Sequence, residues 1–316
     1  MGHASNMFLV CLADPTPRAV STRGSCDSLL AVLTLLTLRA ALQRRHATCG
    51  AFLGCATHFR VYPIIHALPL ALWCLLGARG AKPHHRLAAA AAFALSFLAA
   101  FLALGGICYA AHGWAFVEQA YVYHLSRSDP RHNFSPWFLP AYLGHTAVHA
   151  HVQPGWPARL AAMLAAVGPQ AACVAACSAL LWRDPAAALF FQTLLFVAFN
   201  RVITAQYFTW WMNLAPLLLP GLLATHKQMG PAPLHAAAAA AALWLLAQLL
   251  WLGAAARLEF GDAAGGGVAG DAYAPVWWAS LVFLASQAVL AALLLLAYTR
   301  QDCAAASMHG RSAKAD

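Results

Sequence analysis

A chain of 316 residues that is 62% apolar and 9% charged, with a mean hydropathy of +0.63, carries too little charge for one or two water-soluble domains, which are typically about a quarter charged. Its formal charge of +9 does not make it a nucleic-acid binder, because the basic residues sit at the ends of apolar segments instead of forming one stripe with stacking aromatics. The composition is that of an all-α, polytopic membrane protein, since only helices and closed barrels satisfy their own backbone in lipid.

The chain opens with "MFLVCLA", Met7 to Ala13. At about 1.5 Å per residue that stretch reaches roughly 10 Å, a third of a bilayer. It is expected to be the second half of a helix whose beginning is missing. A signal peptide does not fit, because no positive charge precedes it and no cleavage site follows. Nine apolar segments then follow: Ser28–Leu42, Thr48–Tyr62, Ile64–Leu76, Leu87–Ala111, Ala158–Trp182, Ala186–Asn200, Phe208–Ala224, Leu234–Ala255 and Val276–Tyr298. Several are short or interrupted by Pro69, Pro216 and Pro220, which is tolerated where a helix lines a protein-enclosed cavity. Residues 1–300 are expected to form one multi-spanning domain and residues 301–316 a cytoplasmic tail. Alanine runs at Ala88–Ala92 and Ala236–Ala242 permit close helix approach.

If successive segment ends alternate, one side holds eleven basic residues, Arg44, Arg79 and Arg183 among them, against Asp184, Asp302 and Asp316. The other side holds the remaining eight basic residues and seven acids. The excess of Lys and Arg makes the first side cytoplasmic. Luminal arginine is disfavoured by the same bias, yet Arg23, Arg60, Arg127, Arg131, Arg201 and Arg257 all fall there. A guanidinium is a permanently charged planar fork that fits phosphate oxygens. Each arginine alone is as well explained by a neighbouring acid or a lipid headgroup. Their recurrence beside Tyr, Asn and His points to a phosphorylated ligand.

The segment Gly113–Phe138 carries Trp114, Phe116, Tyr121, Tyr123, Trp137 and Phe138, the aromatic type that settles at a membrane surface, and is expected to lie along it. Within it, Arg127 and Arg131 are four apart and would share a face if helical; Pro130 breaks that helix, and its turn would offer His132 and Asn133 to sugar hydroxyls. Alternatively the Arg/Asp cluster staples the loop. "HTAVHAH", with His145, His149 and His151, reads as a solvated loop rather than a metal site. The nine cysteines lie scattered in apolar runs, as small buried hydrophobes do. There is no Gly-rich phosphate loop, His-Glu-x-x-His or Gly-x-Ser-x-Gly. No cofactor or metal is expected.

"STRGSCDS", "HFRVYP", "YHLSRSDPRHNFSPWF", "FNRVITAQYFTWW" and "LWLGAAARLEF" resemble, in order and spacing, the catalytic subunits of glycosylphosphatidylinositol (GPI) mannosyltransferase I. The resemblance implies a glycosyltransferase C-type bundle with luminal loops in the endoplasmic reticulum membrane. It implies transfer of the first mannose, in α1,4 linkage, from dolichyl-phosphate mannose to glucosaminyl-(acyl)phosphatidylinositol, with a small single-span accessory subunit as a potential partner. With the charge map it marks Arg23, Asp27, His58, Arg60, Tyr62, Arg127, Asp129, Arg131, His132, Asn133, Asn200, Arg201, Gln206 and Tyr207 as substrate-binding.

The family has an N-terminal helix followed by an Asp-x-Asp loop that is thought to supply the base. No two of the ten acids here are separated by one residue, so the chain is expected to be N-terminally truncated and inactive as it stands. Ser25 and Cys26 stand where the family usually has Asn and Ala, and Ser128 where a second Arg is usual. Asp129 is expected to orient Arg127 or Arg131. An anionic-lipid transporter or a non-catalytic scaffold would use the same arginines without a base; neither half of the chain repeats "RHNFSP" or "FNRV" in inverted form.

Overall fold

The computed structural model describes residues 26–77, 80–123, 129, 133–149, 155–260 and 273–312, and all of its regular elements are helical. They are α1 (Asp27–Leu42), α2 (His46–Phe59), a 3₁₀ turn Tyr62–His66 running into α3 (Ala67–Leu76), α4 (Pro83–His112), α5 (Trp114–Val117) continued by a π turn Glu118–Val122, and α6 (Phe138–His149). The second half holds α7 (Trp156–Leu181), α8 (Pro185–Ala198), a 3₁₀ turn Ala205–Tyr207 running into α9 (Phe208–Met212), a 3₁₀ turn Ala215–Leu218 running into α10 (Leu219–Met229), α11 (Ala232–Phe260) and α12 (Tyr273–Ser312).

The all-helical architecture agrees with the all-α expectation. Three helical segments, Pro83–His112, Ala232–Phe260 and Tyr273–Tyr298, are long and apolar enough to cross a membrane. One expectation is corrected. The backbone through His145 and His149 is the helix α6, not a loop, because "FLPAYLGHTAVH" places its only proline in the first turn, where no intrahelical N–H is demanded. The helix α12 runs unbroken past Tyr298 to Ser312.

The α2 helix packs closely on α4. Gly50 and Gly54 repeat on one face of α2, and a Cβ on Gly50 would fall against the Phe93 carbonyl and Ser96, with the carbonyl carbon 2.9 Å away. On Gly54 it would meet Phe97 O and lie 3.0 Å from Ala100 Cβ. Small residues spaced four apart let two backbones touch. Phe93, at this seam, is the buried residue of α4, and the rest of the helix is largely exposed.

The second half packs around aromatics. Phe134 stacks on Trp251 at 3.9 Å and meets Phe208 and Phe283 edge-on or tilted, while Trp211 and Trp244 cross at 5.3 Å. Some buried polar groups are paired across helices as well. His66 Nδ1 shares a hydrogen bond of 3.1 Å with Gln192 Oε1, and the same amide donates to Ser178 Oγ at 3.0 Å and to Val174 O at 3.2 Å. Asp184 caps α8 by accepting from the Ala186 and Ala187 amides and receives the Tyr298 hydroxyl from α12. At the end of α1 the Arg44 guanidinium lies 4.0 Å over Trp73 and donates to Gly77 O. Arg44 thus joins α1 to α3, and Asp184 joins α8 to α12, at the ends that charge alternation assigns to the cytoplasmic side.

Candidate functional site

At the other ends of the helices the chain encloses a cavity of about 650 Å³. The α2 helix stops at Phe59; Arg60 turns extended (φ −145°, ψ 134°), and Pro63, lacking an N–H, starts the 3₁₀ turn. That reversal directs His58, Arg60 and Tyr62 into the cavity wall. The facing wall is the irregular link after α8, which supplies Asn200, Arg201 and, with the following 3₁₀ turn, Tyr207; Trp210 of α9 completes it.

The two walls meet in an aromatic stack. Tyr62 lies on Trp210 at 3.8 Å with planes 6° apart, and Tyr207 lies on it at 4.2 Å. Arg60 reaches 3.2 Å from Asp27 Oδ1, and the Trp210 indole N–H donates to the same oxygen at 3.3 Å. Asp27 stands in the first turn of α1, where helix-end amides favour a carboxylate. It is only 3% exposed and does not line the main cavity. Arg60 is therefore neutralised inside the protein. Arg201 has no carboxylate within 4.0 Å among the described residues, so the positive charge the cavity offers a ligand is chiefly its own.

His58 closes one rim. Its Nδ1 shares a hydrogen bond of 2.9 Å with the Tyr121 hydroxyl, and its Nε2 faces Cys108 Sγ at 3.8 Å. Burial raises the Tyr121 phenol above its ordinary pKa, with the Cys108 thiol adding to the shift, so the hydroxyl keeps its proton at neutral pH. The short helix after Gly113 is thereby fastened to α2 and α4, and Ala120 faces the cavity.

Of the residues marked in the sequence, His58, Arg60, Tyr62, Asn200, Arg201 and Tyr207 come together around this cavity. Gln206 is half-buried outside its lining, its carbonyl accepting from Thr209 Oγ1 at 2.6 Å. Asn133 is 2% exposed and turned toward backbone. Its Nδ2 donates to Arg201 O at 2.9 Å and Asp129 O at 3.2 Å, and its Oδ1 accepts the amides of Ser135 and Ile203, each at 2.9 Å. Its carboxamide thus makes a set of four bonds within the protein, as a buried polar group is costly to leave unmet. Arg23, Arg127, Arg131 and His132 lie outside the described residues. The lining residues that went unmarked in the sequence include Trp210, Val167 and Gln170. The Gln170 amide, which donates to Phe196 O at 3.0 Å, is visible only as a polar residue within an apolar helix.

An all-helical membrane protein whose helix ends gather arginine and stacked aromatics around one cavity has the equipment to hold a ligand with an anionic head and an apolar tail. A family model described as Mannosyltransferase (PIG-M) matches residues 20–295. The chain belongs to this family of mannosyltransferase enzymes. It is 38% identical to the GPI alpha-1,4-mannosyltransferase I catalytic subunit of Danio rerio over 295 residues, covering 92% of this chain and 69% of that one. It is 32% identical to GPI mannosyltransferase 1 of Trypanosoma brucei brucei (93% and 69%) and 34% identical to that of Saccharomyces cerevisiae (79% and 60%). The chain thus spans three-fifths to somewhat over two-thirds of these relatives' own lengths.

Proposed function

We propose that this chain carries the substrate-holding part of GPI mannosyltransferase I in the endoplasmic reticulum membrane, and that it crosses that membrane nine times. In this reading dolichyl-phosphate mannose donates mannose to glucosaminyl-(acyl)phosphatidylinositol at the luminal face. The observation that carries it is the convergence of "HFRVYP" and "FNRVITAQYF" on one cavity, with Arg60 held by Asp27 and Arg201 without a carboxylate partner among the described residues. A cation at that place stabilises the departing phosphate, and confining two lipid-borne reactants lowers the entropic part of the barrier. Arg23, Arg127, Arg131 and His132 extend the phosphate and sugar contacts, and a small single-span subunit assists. With no Asp-x-Asp among its acids, the chain alone does not turn over, since a general base contributes about 10²–10⁴-fold.

The test is transfer of labelled mannose from dolichyl-phosphate mannose in membranes of yeast lacking its own GPI mannosyltransferase 1. The chain alone is expected to be inactive. The chain joined behind the N-terminal part of the Danio rerio relative is expected to transfer mannose and to lose transfer on Arg201→Ala. Movement of a phosphorylated lipid across the bilayer without mannosyl transfer would replace this reading with a transporter.

A further inference from the structure

Two sequence stretches far apart in the chain, "RHNFSP" and "FNRVITAQYF", are joined through backbone. Besides the four bonds of the Asn133 carboxamide, the Phe134 amide donates to Ile203 O at 2.9 Å and the Ser135 hydroxyl donates to Arg201 O. The Arg201 carbonyl therefore receives two donors, and the Ile203 peptide is engaged on both its N–H and its C=O. Asn133, Ser135 and Ile203 are buried, and Phe134 is anchored on Trp251.

This matters because residues 200–204 belong to no helix. Nothing in regular secondary structure fixes the direction in which Arg201 leaves the backbone. A side-chain amide that donates to one carbonyl and accepts the amide two residues on supplies the missing ladder. We propose that Asn133, assisted by Ser135, is the positioning residue for Arg201: it touches no ligand and sets the backbone from which the Arg201 guanidinium, which lines the cavity, projects. The proposal rests on the phosphate-binding reading of Arg201.

The experiment uses the whole chain in phosphatidylcholine nanodiscs and labelled dolichyl phosphate as probe, with dolichol as the phosphate-free competitor. Hydrogen exchange at the Ile203 amide reports the joint itself. Asn133→Ala is expected to speed that exchange and to weaken dolichyl phosphate binding roughly tenfold, the effect of about one buried hydrogen bond's worth of misalignment. Binding of dolichol should stay as it was. Arg201→Ala should lose the preference for phosphate, and adding Asn133→Ala to it should weaken binding no further, because coupled residues are not additive. Tyr298→Phe, which removes a hydrogen bond to Asp184 far from the cavity, should lower thermal stability with affinity unchanged.

Faster Ile203 exchange in Asn133→Ala with unchanged dolichyl phosphate affinity would overturn the positioning role while leaving the cavity reading intact. Unchanged exchange would overturn the joint. Unchanged phosphate preference in Arg201→Ala would overturn the phosphate reading and this inference with it. Should Asn133→Ala not fold, Ser135→Ala, which removes one of the two donors to Arg201 O, decides on the same readouts, with a loss of about threefold expected.

Discussion

Gly50→Ala adds one methyl group at the α2–α4 seam, and the sign of its effect follows from what that methyl meets. In an exposed helix the change stabilises by up to about 1 kcal/mol, because alanine gives up less backbone entropy. At Gly50 the new carbon would lie 2.9 Å from the Phe93 carbonyl carbon, with the carbonyl oxygen and Ser96 Oγ closer still. Ordinary carbon contacts run about 3.5–4.0 Å, so the helices must part by roughly 1 Å. The obstacle is backbone and cannot rotate away. A gap of that size forfeits about a quarter to a half of each contact's dispersion energy along the seam, and overpacking of this kind costs about 1–3 kcal/mol. The clash wins over propensity, giving a net loss of about 1–2 kcal/mol. At about 2–4 °C per kcal/mol, Gly50→Ala should lower Tm in detergent by several degrees. Gly106 provides the comparison: it lies in α4 with nothing within 4 Å of an added Cβ, so Gly106→Ala should hold or raise Tm. Differential scanning fluorimetry on the two variants reads both signs. A Gly50→Ala protein as stable as the parent, or one no less stable than Gly106→Ala, would refute the packing argument.

Asp27→Asn keeps the shape but leaves Arg60 without its partner; breaking a buried pair costs about 3–5 kcal/mol, and the 31% exposure of the Arg60 side chain reduces this to about 1–3 kcal/mol, visible as a lowered Tm. Gln192→Leu strands His66 Nδ1 and should cost about 1–3 kcal/mol in the same measurement, whereas a neutral result would mean that the amide network is idle. Arg131→Lys, tested in the protein joined to a relative's N-terminus, should raise the apparent KM for one lipid substrate by removing a bidentate grip; unchanged kinetics for both substrates would remove Arg131 from the site.

The helices were legible because apolar length is a strong local signal in lipid. Arg60 and Arg201 were legible as charges that are costly where they stand and so marked themselves, but that their two segments face each other across one cavity was not. The backbone partners of Asn133 were not legible, because a sequence shows a carboxamide without showing which peptide groups meet it. The Gly50 and Gly54 spacing is plain in "CGAFLGC", but glycine pairs become informative only once a second helix is known to cross there. Trp210 looked like one aromatic among many; its place between two walls depends on a reversal at Arg60 that no local pattern encodes. Gln170 and Gln192 stand in apolar helices, and intramembrane polarity was the available signal for both.

The Asn133 joint binds peptide groups, which every residue carries, so it is indifferent to the letters at Val202 and Ile203 and sensitive to their number. One residue added or removed between 201 and 203, or between 133 and 135, displaces a partner amide by about 3.3–3.6 Å, beyond the reach of a hydrogen bond. Side-chain exchange across these short stretches leaves the joint closed, while a change of length by a single residue unfastens the cavity wall and frees Arg201 to point elsewhere.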